Sequence, residues 1–455
     1  MAQVASDGLG LRSPTTAATE TLRPGWPLAL YFGGYLILWA AGVAQLAAPL
    51  LAVPMVAWLL MSGRIRLPRG FGLYLLFLGW MLASALIPLA KGWSLLGFAY
   101  HATMYITGAV FLVYAYNLPG GRDTTRRIAD LLALLWIVVA LCGLFGPVLP
   151  SEGFPSLVER VLPRSLLTDD YIQELVHPRF AEVSSFLGYP VPRPAAPFPY
   201  TNTWGASLAL LSPFFVVRWL GSQSPLRRHW GKVLMLAAIV PVVVSLNRGM
   251  WLSLGLSLLY TLERMARRGG IRRLQGALVL VIVVGLAVWL SPLSALVGER
   301  IRTGHSNEGR LSQYEEVIDR IGGSPLLGYG SPRPTETAGR DVPLVGSLGQ
   351  FWLVLFSHGI PAAVLFTGWI ATMFWRTRSG GEPIQFSGHV TLLIAGIQLP
   401  YYVMLPTELM IVMVAAALAL RGDEMNEAEA HSWQPSPKGG CRGTDETGES
   451  QRAIQ

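Results

Sequence analysis

From Trp26 to Leu420 the chain alternates membrane-length apolar blocks with short polar connections. A bilayer core is crossed by about 20 apolar helical residues. Blocks of that length holding few or no charges therefore predict membrane helices, not one soluble core. Splitting the longer blocks at proline, glycine or charge predicts about twelve helices, near 26–43, 46–62, 71–89, 95–116, 128–149, 200–220, 230–246, 249–263, 275–292, 349–375, 386–404 and 406–420. The expected fold class is all-α, a polytopic membrane protein spanning 26–420. Residues 1–25 are rich in Ala, Thr and Ser and have no basic leader before a short apolar core, so they read as a flexible tail. Residues 421–455 turn from acidic to Pro, Gly and Lys and read as a second disordered tail.

Composition agrees with the pattern. Of 455 residues, 52% are hydrophobic and 14% charged, with a mean hydropathy of +0.44, against roughly 25% charged in ordinary soluble domains. A net charge of +8 would suggest nucleic acid in a soluble chain, but position explains it better here. The connections after the second, fourth, sixth, eighth and tenth expected helices hold seventeen arginines and lysines, among them Arg64, Arg126, Arg227, Arg264 and Arg378. The short connections on the other side hold only Lys91 and Arg248. Cytoplasmic loops carry the excess of Lys and Arg, so both termini are expected in the cytoplasm, with membrane lipids as partners and no nucleic acid. Cys142 lies in an apolar run and Cys441 in the polar tail, which excludes a disulfide framework.

Two connections, about 150–199 and 293–348, are too long for simple turns, and the same alternation puts both on the extracytoplasmic side. Long loops on a rigid scaffold are where function concentrates. The first contains a run from Pro190 to Pro199 that favours extended backbone. The second contains Leu311, Tyr314, Val317, Ile318 and Ile321 at helical spacing with charges between them, an amphipathic helix suited to a membrane surface. The chain has no Walker A loop, HExxH, CxxC pair or GxSxG elbow, which disfavours an ATP-driven pump and the familiar hydrolases.

The candidate chemistry sits at the outer helix ends. Arg248, in SLNRGMW, stands where positive charge is otherwise avoided; it either snorkels to lipid headgroups or grips phosphate through paired donors. His305, Glu308, Arg310 and Tyr314 precede a Gly-rich turn and offer acid, base and anion-binding groups, or are simply solvated. Asn202, in PFPYTNTWG, either caps the helix it opens or contacts a sugar or phosphate. Trp93, Trp204, Phe351 and Trp352 fit an interfacial aromatic belt. His101, His358 and Glu408 fall within or beside helices, where hydrogen-bonded burial is the commoner role.

Four ordered stretches, RPAAPFPYTNTWG (193–205), SLNRGMW (245–251), GRLSQYEEVIDRIGGSPLLGYG (309–330) and LVGSLGQFWLVLFSHGI (344–360), together with the helix layout, resemble the O-antigen ligase and polymerase-like family of membrane glycosyltransferases. The resemblance implies a multi-helix fold of the lipid-dependent, GT-C-like kind in a bacterial plasma membrane, with the site at the outer face and no metal, cofactor or nucleotide sugar. It implies transfer of a glycan from a polyprenyl-diphosphate carrier such as undecaprenyl diphosphate to an acceptor hydroxyl on a glycan or glycolipid. Arg248 and Arg310 match the family's two arginines and are expected on the donor diphosphate, with Asn202, Tyr314 and Gln350 completing the diphosphate and glycan contacts. Where the family places a histidine before its tenth helix, this chain has Leu348. Leucine accepts no proton, so His305 or Glu308 serves as base, or the acceptor needs little activation, or the chain is not catalytic.

The other readings are a secondary transporter or flippase for a lipid-linked or anionic substrate, which twelve helices would also suit, and a membrane scaffold without activity. A transporter places ionisable residues near the bilayer midplane, often in two related halves. Here few such residues occur, no half-repeat is evident, and the polar positions gather in the two long loops.

Overall fold

The last apolar block forms the axis of the molecule. In the computed structural model every residue from Pro406 to Arg421 is buried, as a helix that is hydrophobic all round requires. The structure describes residues 24–150, 153–167, 170–185, 188–267, 275, 305–335 and 344–432.

The helices are α1 (Ala44–Met61), α2 (Gly72–Ala83, continued by Leu86–Ala90), α3 (Leu96–Asn117), α4 (Gly121–Val148), α5 (Thr201–Phe215), α6 (Pro225–Val244), α7 (Arg248–Arg267), α8 (His305–Ile321), α9 (Gln350–Arg376), α10 (Pro383–Gln398) and α11 (Thr407–Ser432). A shorter segment precedes them, helical over Trp26–Leu28 and Tyr35–Ala40 with a π-helical turn at Ala29–Gly33. α11 packs against α1, α3, α4, α5 and α10, while α9 closes the bundle against α2 and α10.

A helix stands at eleven of the twelve expected positions; the expected helix 275–292 lies, but for residue 275, outside the described residues. Six helices among the described residues are long and apolar enough to cross a membrane: Ala44–Met61, Gly72–Ala90, Leu96–Asn117, Gly121–Val148, Thr201–Leu220 and Gln350–Ser379. The others are shorter or more charged, as in α10, with 16 residues, and α6, with Arg227, Arg228 and Lys232.

Helix ends differ from the apolar boundaries in a consistent way. α4 begins at Gly121, not near 128, α7 runs to Arg267, and α11 continues to Ser432, beyond the expected end at Leu420. Charged helix formers such as those of Glu424–Glu429 sustain a helix after the apolar run ends. The apolar block thus marks the lipid-compatible part of a helix, not its terminus.

The arginine-rich connections gather at one end of the bundle. Arg66 and Asn117 exchange two hydrogen bonds of 2.8 Å, Arg122 pairs with Glu382 at 3.3 Å, and Arg264 donates to the Arg378 carbonyl at 2.5 Å. On α4, Asp130 receives Arg218 through two bonds of 2.8 Å and also binds Arg227. The long connections gather at the other end.

There the loop after α4 contains short helices, including Leu157–Val161 with a Ser156–Glu159 capping box, and an antiparallel hairpin of β1 (Ala181–Ser184) and β2 (Val191–Pro194). This hairpin departs from the all-α expectation and uses the first part of the proline run, which is extended over Val191–Pro194 and turns at 196–200. Neighbouring α8 packs on α9 through buried Val317, leaving Leu311 and Ile318 exposed.

Candidate functional site

Opposite the arginine-rich end, three arginines stand on elements that pack around the turn Tyr401–Tyr402. The first is Arg193 on β2, only 7% exposed. Its Nε–H donates to the Ser245 carbonyl at 2.7 Å and an Nη to Ser184 Oγ at 3.4 Å. Its cross-strand partner is Glu182, whose carboxylate accepts the Thr201 N–H at the start of α5 at 2.7 Å. Burial lowers the Arg193 pKa below its ordinary value and nearby Arg310 adds to this, while Glu182 and Tyr402 act in the opposite direction.

The second cation, Arg248, is the first residue of α7, held by the residues around it. Asn247 Oδ1 accepts the Met250 N–H at 3.3 Å and the Tyr402 hydroxyl, and its Nδ2 donates to the Thr201 carbonyl at 3.2 Å. One side chain thereby caps α7 and ties it to α5 and to the Tyr402 turn. Gly249 is required for this approach, because a Cβ there would lie 2.6 Å from the Tyr402 hydroxyl and 2.7 Å from the Tyr401 ring.

The third cation, Arg310 of α8, donates to the Tyr401 carbonyl at 3.1 Å. One turn on, the Tyr314 hydroxyl donates to the carbonyls of Leu348 at 3.1 Å and Pro400 at 2.9 Å. Its ring stacks on Trp352 at 4.4 Å. These contacts clamp α8 onto the start of α9.

The structure thus packs the elements that bear Arg248, Arg310 and Tyr314 around one turn and adds Arg193, which the sequence reading did not single out. Gln350 stands inward of them, fully buried. Its Nε2 donates to Tyr105 at 2.8 Å, its Oε1 accepts the Met404 N–H at 2.9 Å, and its backbone N–H donates to the Tyr402 carbonyl at 2.7 Å.

Asn202 lies in the first turn of α5, partly exposed, and does not cap it: the N-cap residue is Tyr200, and Glu182 takes the first free N–H. His305 and Glu308 occupy the first turn of α8, and their side chains lie outside the described residues.

The Gly-rich turn and the end of the fourth motif prove to be one unit. α9 is broken at Gly359, which has φ +84°, just before Pro361. The break exposes carbonyls at Phe356 and Ser357, and the turn fills them: Tyr329 N–H donates to Phe356 at 2.9 Å and Gly330 N–H to Ser357 at 2.7 Å. In return the Ile360 N–H donates to the Pro325 carbonyl at 2.8 Å. Beyond this, Arg333 lies 3.9 Å over the Trp93 ring, so the belt tryptophan anchors the second long loop.

His358 bonds Ser84 through Nδ1 at 2.8 Å, in line with the buried role expected of it. Glu408 is fully buried, and among the described residues neither of its oxygens has a hydrogen-bond partner. Among the described residues no three His, Cys, Asp or Glu side chains are grouped to hold a metal ion. Compared with known proteins, the chain matches no protein-family model and no curated protein.

Proposed function

We propose that the chain is a membrane glycosyltransferase, a ligase or polymerase similar to the O-antigen ligase family, that moves a glycan from a polyprenyl-diphosphate carrier to an acceptor hydroxyl. In this reading twelve helices cross a bacterial plasma membrane, both termini are cytoplasmic, and the two long loops face outward over the site. The observation that carries it is the packing of the elements that bear Arg193, Arg248 and Arg310 around the Tyr401–Tyr402 turn, at the end opposite the arginine-rich connections.

The chemistry follows from charge. When the anomeric carbon leaves the carrier, negative charge develops on the diphosphate, and pre-positioned guanidinium groups stabilise it without reorganising. Arg248 and Arg310 fill this role on two different elements, so the diphosphate bridges α7 and α8. Buried Arg193 fixes the turn beneath them and adds positive potential. Tyr314 and Trp352 present a stacked aromatic pair beside the same turn, suited to the face of a sugar.

The test is transfer by the purified chain in lipid nanodiscs, supplied with lipid-linked donor extracted from the producing membrane. Arg248→Ala is expected to abolish transfer while leaving protein abundance and thermal midpoint unchanged. Transfer retained by that variant sinks the assignment. Movement of intact donor across liposomes, with no covalent change, would favour a flippase instead.

A further inference from the structure

A cavity of about 330 Å³ opens beside the β1–β2 hairpin. Its walls include Trp39, Gln45, Glu174, His177, Glu182 and Phe198. Gln45 is 8% exposed and lines the cavity. A side-chain amide on a cavity wall offers a ligand both donors and an acceptor.

The two carboxylates are held in a complementary way. Glu174 Oε2 accepts the Tyr200 hydroxyl at 2.5 Å, and Glu182 Oε2 accepts the Thr201 N–H at 2.7 Å. Each is thereby oriented through one oxygen, and among the described residues the other makes no hydrogen bond. His177 is fixed likewise, by Nδ1 on Glu159 at 2.9 Å. Oriented acceptors, an amide and aromatic walls suit a ring bearing many hydroxyls. The two carboxylates outnumber the one arginine of the lining, Arg179, which disfavours an anion, their charges disfavour a lipid tail, and the described residues group no three ligands for a metal.

Glu182 belongs to both sites. It lines the cavity, and across the hairpin it faces Arg193, whose guanidinium feels its charge. We propose that the cavity seats the acceptor sugar and that Glu182 Oε1 is its proton acceptor, taking the role that Leu348 cannot. This inference rests on reading the arginine cluster as the donor diphosphate site. In the step, the acceptor oxygen forms a bond to the anomeric carbon of the donor. The bond from that carbon to the phosphate oxygen breaks, its electron pair leaves with the polyprenyl diphosphate, and the hydroxyl proton passes to Glu182.

Two measurements on the full chain in nanodiscs test it. Saturation-transfer NMR with chitobiose, cellobiose, lactose and maltose is expected to show binding of at least one disaccharide. Glu174→Gln and Gln45→Ala should each weaken that binding by about tenfold, the loss of one hydrogen bond in a buried site. Glu182→Gln keeps an acceptor for the Thr201 N–H and should still bind farnesyl diphosphate, yet slow transfer by about 100-fold or more in kcat. Glu182→Asp should restore part of the rate.

No disaccharide bound by the wild-type chain, unaltered binding in both cavity variants, or wild-type kcat in Glu182→Gln each overturns the inference. If sugars fail to bind while farnesyl diphosphate binds through Arg248 and Arg310, the cavity assignment falls and the donor site stands. If sugars bind and farnesyl diphosphate does not, the donor reading fails.

Discussion

The Nε–H of Arg193 donates to the backbone carbonyl of Ser245 at 2.7 Å, tying the hairpin of the first long loop to the turn that presents Arg248. A guanidinium this deeply buried is tolerated because its donors are used and an opposite charge, Glu182, faces it across the hairpin. Replacing it with methionine keeps the stem but leaves the Ser245 carbonyl unpaired. Arg193→Met is expected to cost about 2 kcal/mol, read as a lower thermal midpoint in detergent. An unchanged midpoint would show that the hairpin is held by other contacts.

Arg310 tests geometry against charge. Lysine preserves the cation but not the planar pair of donors that matches a phosphate. Arg310→Lys should bind farnesyl diphosphate more weakly than wild type and more tightly than Arg310→Ala, as measured by calorimetry. Equal affinity in wild type and Arg310→Ala would remove this residue from the donor site.

Asn247 serves the turn through three partners, so its replacements should separate cleanly. Asn247→Ala removes the α7 cap and strands the Tyr402 hydroxyl, at an expected cost of about 2 kcal/mol. Asn247→Asp keeps the capping oxygen and should recover most of the loss. Thermal unfolding of the two proteins side by side decides the matter, and equal midpoints would contradict the capping role.

Gly359 is the least substitutable residue of α9. A Cβ there would lie 2.2 Å from the Leu326 carbonyl oxygen, and φ +84° disfavours any L side chain. Gly359→Ala is expected to destabilise the protein by about 3 kcal/mol and to release the Gly-rich turn. Limited proteolysis should then cut within 322–335 faster than in wild type; an unchanged cleavage rate would refute the link between kink and turn.

Much of the architecture was legible because hydrophobic length is a local property. Eleven of the expected helices appear, the proline run is extended over Val191–Pro194 before it turns, and α8 forms where its amphipathic spacing placed it. The ends were misplaced because apolar patterning reports where lipid-compatible surface stops, whereas a backbone helix continues through Arg, Glu and Ala. The candidate site was half legible. Arg248 stood out as a cation on the sparsely charged side, and Arg310 by its place before the amphipathic run. Arg193 did not, since nothing in spacing distinguishes it from Arg160, Arg164 and Arg179 in the same loop.

What the chain determines by itself is therefore the set of helices and the segregation of basic connections, both consequences of the bilayer acting on residues near in sequence. Tertiary structure decided which polar residues meet. Arg193 and Ser245 lie 52 positions apart, and Glu182 faces both a cavity and an arginine only because the hairpin folds between them. Such pairings depend on how helices pack and where loops return, and side-chain burial, which separates Arg193 from its three neighbours in the loop, exists only once that packing is complete.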